Sequence, residues 1–485
     1  MKERILTNVE PKDVLKYFED LTFIPRESGN EKEVSDYLVN FAKEHGFEWS
    51  QDDYYNVLMR KPASKGYEDH PGIIIQAHMD MVCEKNRDFE HDFARDPIKF
   101  EVDGDKIIAR DTSLGADDGI GVAIGLAVMA DPELKHPAIE FVCTSDEERG
   151  MSGIENFDFS VLKGSRVINL DSDDEGVLVV GCAGGPVVRV ELPVSRKAAD
   201  REKSYFEITL RGLLGGHSGE DIHRGRANAN KLMVRVLMAV QRELGFDLAA
   251  ISGGLKYNAI PRNAEVTIGV DREKEAALRA VVDRYSAIFA DEYRVNDPDI
   301  ELGIAPADAP KEVLDEESKM KILDYMNFSE TGIIRMDMDY PQFVESSVSL
   351  GVVNIEGDKA VILIMTRSSK DSQYELSFEK IVRLTELLGG EYFVMSNCPA
   401  WEYDYQSELK ATYERVYEDM FGKKASIMIL HAGVEPSEFA KNMDRKMDMI
   451  SMGPDVRNLH APGEYFSISS TQRFWESFKK FLEEL

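Results

Sequence analysis

The stretch Gly72-Ile73-Ile74-Ile75-Gln76-Ala77-His78-Met79-Asp80 decides how the rest of the chain is read. Its β-branched run follows Pro71 and leads into a polar segment, which is the pattern of a strand buried on both faces, as in parallel sheets covered by helices. Where the run stops, His78 and Asp80 are two residues apart, so on a strand both point to one side. Working outward, residues 31–45 place Val34, Tyr37, Leu38, Phe41 and Ala42 on one helical face, with Asn30 as the expected cap and Gly46 just past the end. Residues 115–130 carry Ile120, Val122, Ala123, Leu126 and Met129 at helical spacing, predicting a buried helix whose first turn holds Asp117 and Asp118. Further buried strands over 138–144 and 166–170 run into Ser145-Asp146-Glu147-Glu148 and into Asp171. Strands alternating with helices predict an α/β sheet, and in such sheets ligands bind at the carboxyl ends of the strands.

The texture changes after about residue 185. Residues 187–194 and 205–211 alternate like half-exposed antiparallel strands, and 228–245 and 274–292 read as amphipathic helices. This predicts an α+β insertion to about residue 395, after which helix 406–420, strand 425–430 and helix 468–484 resume the α/β rhythm. Two cores suit 485 residues, since single cores stop growing at roughly 250–300. The 89 acidic residues outnumber the 58 Lys and Arg, and the net charge of -31 argues against nucleic acid or an anionic membrane as partner. Cys83, Cys143, Cys182 and Cys398 show no metal or disulfide spacing and read as reduced thiols. Neither a signal-peptide-like opening nor an apolar run of about 20 residues is present, so the expected location is cytoplasmic.

Each chemically interesting group has an ordinary reading when taken alone. Asp146-Glu147-Glu148 fits a solvated loop, Asp117 and Asp118 an acidic first turn, Asp171 a turn, and His460 an incidental loop histidine. Taken together they are two histidines and three carboxylates, with Glu147 spare beside Glu148 and Asp80 spare beside His78. That is the inventory of a two-metal hydrolytic site for borderline or hard divalent ions.

The segments IIIQAHMDMV, TSLGADDGIGVAIGLAVM, EFVCTSDEERGMSG, INLDSDDEG, GLLGGHSGEDIHRGRANANK, NAIPRNA, TRSS and GPDVRNLHAPGE occur in this order. Together they resemble the M20 family of metallopeptidases, most closely its aminoacyl-histidine dipeptidase branch. The resemblance implies an α/β, zinc-aminopeptidase-like catalytic domain (1–186 and 396–485) interrupted by an α+β lid and dimerisation domain (187–395). It implies that His78 and Asp171 hold one metal, Glu148 and His460 the other, and that Asp117 bridges them. Asp80 would orient His78, Glu147 would be the general base, and His217 in the lid would assist at the oxyanion. Asn258 and Arg367 are implied as substrate-binding residues for the peptide carboxylate, with Glu435 a further candidate. The implied cofactors are two divalent ions, zinc by default with manganese or cobalt as alternatives. The implied partners are a small peptide substrate and a second copy, in a homodimer through the lid.

Two positions depart from the resemblance. Gly119, where many family members have Lys, fits the aminoacyl-histidine branch, but Asp118 stands where that branch often has Asn, and the loop that begins His431-Ala432-Gly433 diverges at Pro436. The expected function is cleavage of dipeptides, Xaa-His or broader, by metal-activated water. The alternatives are a tripeptidase, an N-acyl amino acid hydrolase, or a catalytically silent metal-binding assembly protein.

Overall fold

The computed structural model describes residues 4–485. Two compact units form: one holds the chain up to Gly181, Tyr403–Ile429 and Val434–Leu485, the other Cys182–Glu402 with Leu430–Gly433.

The first unit is built on an eight-stranded sheet in the order Glu48–Gln51, Val57–Lys61, Ile139–Thr144, Ile73–His78, Arg166–Asn169, Asp448–Ser451, Val177–Cys182 and Ser426–Leu430. The strand ending at His78 lies between two parallel neighbours, pairing Ile75 with Phe141 on one side and with Ile168 on the other. Every residue of Ile73–His78 and of Ile139–Thr144 is buried, as expected of central strands covered on both faces. Parallel alignment brings the carboxyl ends of three consecutive strands to one edge, and with them His78, the Glu147-Glu148 segment and Asp171.

Helix Ala116–Ala130 packs against this sheet through small residues. A Cβ on Gly125 would collide with the Phe141 ring, so the close approach requires glycine there. Asp117 and Asp118, expected in a regular first turn, have non-helical backbone angles (φ -78°, ψ 112° and φ -107°, ψ 34°). The regular helix begins beyond them. The other early expectation to change is the cap of the second helix. Lys32–His45 starts from Glu31, with no side-chain cap from Asn30, and ends on Gly46 at φ 74° as read.

The second unit contains a nearly all-antiparallel sheet in the order Glu301–Ala307, Ser204–Arg211, Ala264–Val270, Asp247–Gly253, Val344–Glu356, Lys359–Ser368, Gly185–Pro193 and Glu391–Cys398, with Gly332–Met336 added beside Val344–Glu356. Helices Ala229–Glu243, Glu275–Glu292, Glu316–Phe328 and Asp371–Leu387 contribute to one continuous apolar core with it. Each half of the sheet has the same strand–helix–strand–strand–helix–strand order, and the halves join where Ser252 and Gly253 pair with Asn354 and Val353. This topological repeat has no counterpart in the sequence. Among the described residues, no helix is long and apolar enough to cross a membrane.

Candidate metal centre

Asp117 lies at the middle of the acidic edge. Its Oδ1 is 3.0 Å from His78 Nε2 and its Oδ2 is 3.0 Å from His460 Nε2, so one carboxylate faces two imidazoles that are far apart in sequence. Asp171 Oδ1 is 3.7 Å from His78 Nε2, and Glu148 Oε1 is 3.0 Å from His460 Nε2. The five residues thus form two overlapping clusters, one around each histidine, that share Asp117.

The donor chemistry fits metal ions. Glu148 Oε1 is buried without a hydrogen bond, although it is 3.0 Å from His460 Nε2. Polar atoms that converge without hydrogen-bonding geometry are better explained by a shared cation than by one another, since buried polar atoms otherwise find partners. The charges agree. Burial drives the Asp171 carboxyl up to about 8 and Glu147 well above the usual carboxylate range, with neighbouring carboxylates adding to both shifts. Crowded acids of this kind require positive charge to ionise together. Burial also opposes ionisation of Asp117, but the two imidazoles outweigh it and hold its carboxyl below the ordinary range.

Asp118 also lies close to His78 and Asp171. Its oxygens, however, accept the backbone N–H groups of His78 (3.2 Å) and Gly121 (3.1 Å), so it shapes the turn and has little left for an ion.

Several supporting contacts, and Glu464 itself, escaped the sequence reading. Asp80 is fully buried and contacts more than His78, whose Nδ1 lies 3.4 Å from Asp80 Oδ1. It also accepts the backbone N–H groups of Glu147 (3.1 Å) and Glu148 (3.3 Å) and the Ser28 hydroxyl (2.7 Å). Glu464, four residues after His460, accepts the N–H groups of Leu114, Gly115, Ala116 and Asp117 at 2.7–3.3 Å. The His460 loop and the Asp117 segment are therefore held together by one carboxylate.

Two residues before His78 and Asp171, the side chains of Gln76 and Asn169 join strand to strand, with Asn169 Nδ2 donating to Gln76 Oε1 at 2.6 Å. The Gln76 amide in turn donates to Thr144 Oγ1 (3.1 Å) and to Glu435. Glu435, expected to meet substrate, is fully buried here, accepts the Thr144 hydroxyl at 2.9 Å and keeps Oε1 without a partner. Burial raises its carboxyl to about 7. A glutamine inside an apolar strand and a glutamate following His460 were visible signals, but their partners were not.

The second unit gathers three of the sequence candidates. His217 pairs with Ala259 in a short strand contact, and the Asn258 carbonyl accepts the Ser218 N–H at 2.9 Å. Arg367 Nη2 is 3.5 Å from His217 Nε2. His217 Nδ1 faces the Glu220 N–H at 3.2 Å and Nε2 faces the Arg367 guanidinium, so each ring nitrogen meets a donor. Burial, reinforced by the Arg367 charge, keeps that ring neutral by lowering its pKa. The Arg367 guanidinium is 6% exposed with Nε unpartnered, and His431 Nδ1 and Ser218 Oγ are likewise buried without partners. Among the described residues no carboxylate lies at ion-pair distance from Arg367, and such a buried guanidinium is suited to an anionic ligand.

The sequence profile of a peptidase dimerisation domain matches residues 208–297. The cytosol non-specific dipeptidase of Escherichia coli K12 is 36% identical over 480 residues, covering 99% of both chains. The crystal structure of aminoacylhistidine dipeptidase from Vibrio alginolyticus superposes with a TM-score of 0.94 at 35% identity, covering 100% of this chain and 98% of that one. Aminopeptidase PepT from Bacillus cereus, 16% identical, shares the fold with a TM-score of 0.56 and covers 98% of this chain and 99% of its own. With likeness to a characterised peptidase across its full length, and with a histidine and carboxylate cluster at its sheet edge, the chain belongs to the M20 family of metallopeptidases, which are peptide hydrolases.

Proposed function

We propose that this enzyme is a two-metal dipeptidase acting on Xaa-His peptides or a broader set of dipeptides. The observation that carries the reading is Asp117, which turns one oxygen towards each of two imidazoles as a bridging ligand would. His78 and Asp171 would hold one ion and Glu148 and His460 the other. Zinc is the first expectation, with manganese or cobalt suited to the same carboxylate-rich donors. Bound divalent ions supply Lewis-acid polarisation and positive charge.

The chain's own residues supply the rest. Glu147, beside Glu148 and near His78, would take the proton of the attacking water and return it to the leaving amine. Asp80 fixes the His78 ring and, through the backbone of Glu147 and Glu148, the direction in which those side chains leave the strand. His217 would assist at the oxyanion, as an imidazole able to donate a hydrogen bond. Arg367, with Asn258 in the lid, would hold the peptide carboxylate, whereas Glu435, fully buried and tied to Gln76 and Thr144, supports the strand ends.

The names of the two close relatives, one a non-specific dipeptidase and one an aminoacylhistidine dipeptidase, support this substrate range. The matched dimerisation segment supports a homodimer through a lid spanning about 187–395, and the cytosolic relative supports a cytoplasmic location. The test is metal analysis of the purified protein combined with a panel of Xaa-His dipeptides, other dipeptides, tripeptides and N-acyl amino acids. Two ions per chain with dipeptide turnover is the expected result. Two ions with no cleavage of any peptide or amide would favour the silent assembly protein.

A further inference from the structure

The metal centre rests on a buried cation that none of the roles above uses. Arg26 follows the first helix, Lys12–Leu21, and is 2% exposed. Its guanidinium forms no ion pair at contact distance among the described residues and is spent on backbone carbonyls. Nη1 donates to Met79 O (3.1 Å) and Asp80 O (3.0 Å), and Nη2 donates to Gly115 O. Met79 and Asp80 form the exit of the His78 strand, and Gly115 opens the segment that carries Asp117. One side chain therefore joins the backbones that present His78, Asp80 and Asp117.

The opposite side of that segment is held by Glu464, which takes the N–H groups of residues 114–117. The Asp117 segment is thus gripped through a carbonyl by a cation and through its N–H groups by an anion. The charges of Glu464, Asp80 and Asp118 all favour the guanidinium in this buried place. Gly119 supplies a second, independent observation. A Cβ built there would lie 2.5 Å from Arg26 Nη2 and 3.2 Å from its Cζ, so residue 119 lacks a side chain where the guanidinium needs space.

We infer that Arg26 is a positioning residue of the metal centre, setting the spacing between the His78–Asp80 turn and Asp117, and that Gly119 is the vacancy it occupies. The inference rests on the two-metal reading and concerns the chain's own residues. Because the geometry is reciprocal, a cation delivered from position 119 should substitute for one delivered from position 26.

The test uses metal-stripped full-length protein titrated calorimetrically with manganese(II), alongside kcat, KM and the melting temperature of the metal-free form. Arg26→Met should weaken manganese binding by about tenfold or more, the loss typical when support behind a metal ligand is removed, and lower kcat with KM little changed. Gly119→Ala, which pushes on the guanidinium, should move both values the same way by a smaller factor. The double variant Arg26→Ala with Gly119→Lys should regain much of the affinity that Arg26→Ala alone loses. If Arg26→Met does not fold, the Gly119→Ala and rescue measurements decide the matter. Unchanged manganese affinity in folded Arg26→Met overturns the inference. So does a double variant no better than Arg26→Ala, because a merely structural arginine would not be replaced from position 119. A wild-type chain that binds no metal overturns the two-metal reading itself, whereas a wild type that binds two ions beside an equally competent Arg26→Met overturns only the role of Arg26.

Discussion

Glu147 and Glu148 are chemically identical neighbours that both lie near His78 and differ in their contact with His460. Glu148 Oε1 lies against His460, whereas Glu147 has no imidazole at contact distance among the described residues. Glu147→Gln should therefore lower kcat by about a hundredfold to ten-thousandfold, the range of general acid–base catalysis, while metal content by elemental analysis stays at the wild-type level. Loss of metal in that variant would mean the two roles are exchanged. Asp80→Asn is expected to act differently, because its oxygens serve His78, two backbone N–H groups and Ser28 together. An amide nitrogen facing the Glu147 or Glu148 N–H sets donor against donor, so both metal affinity and kcat should fall by about tenfold to a hundredfold. A change confined to KM would show that Asp80 acts on substrate.

The segment 114–117 and the helix that follows show how a helix start can be built from a distant part of the chain. Its donors are satisfied by Glu464 through both carboxylate oxygens, each taking two N–H groups. Glu464→Gln retains size but replaces one acceptor by a donor, leaving buried N–H groups unpaired at a cost of about 1–3 kcal/mol. Urea denaturation of the metal-free protein should register that loss, and an unchanged midpoint would show the clamp to be dispensable. Further along, Gly125→Ala would force a methyl into the Phe141 ring, an overpacking cost of about 1–3 kcal/mol that should lower the melting temperature without changing metal stoichiometry. Neither effect was legible in the local sequence, where Asp117 and Asp118 read as an ordinary acidic first turn. Local pattern shows which residues are apolar, but not which distant carboxylate will satisfy a backbone.

At the scale of the molecule, the second unit carries a buried group whose titration couples its stability to pH. In the second unit His431 hydrogen-bonds Ser347 Oγ at 2.7 Å, and burial, with the charges of Arg367 and His217, lowers its pKa from 6.5 to about 3. Between those values the unfolded chain binds a proton at this position that the folded chain does not, so its contribution to stability falls as pH falls through that window and is constant above it. Denaturation series from about pH 7 to pH 4 should show a shallower acid loss in His431→Gln than in the wild type, and parallel curves would contradict the assignment. Much of this organisation was legible beforehand. The unbroken run Ile73-Ile74-Ile75 announces a strand buried on both faces, and alternation after residue 185 announces a change of sheet type, because burial writes its period directly into the order of apolar residues. The same order of residues determined which groups are available for metal chemistry, since no other part of the chain combines His78, Asp117, Glu147, Glu148, Asp171 and His460 with strand ends and a helix start. Only the tertiary structure decided that Asp117 faces both histidines, that Asp118 is consumed by backbone donors, that Glu435 is buried, and that Arg26 and Glu464 support the centre. Those outcomes depend on which strand ends align and which buried donors meet which acceptors across hundreds of residues, and a pairing of that kind leaves no periodic trace in a single sequence.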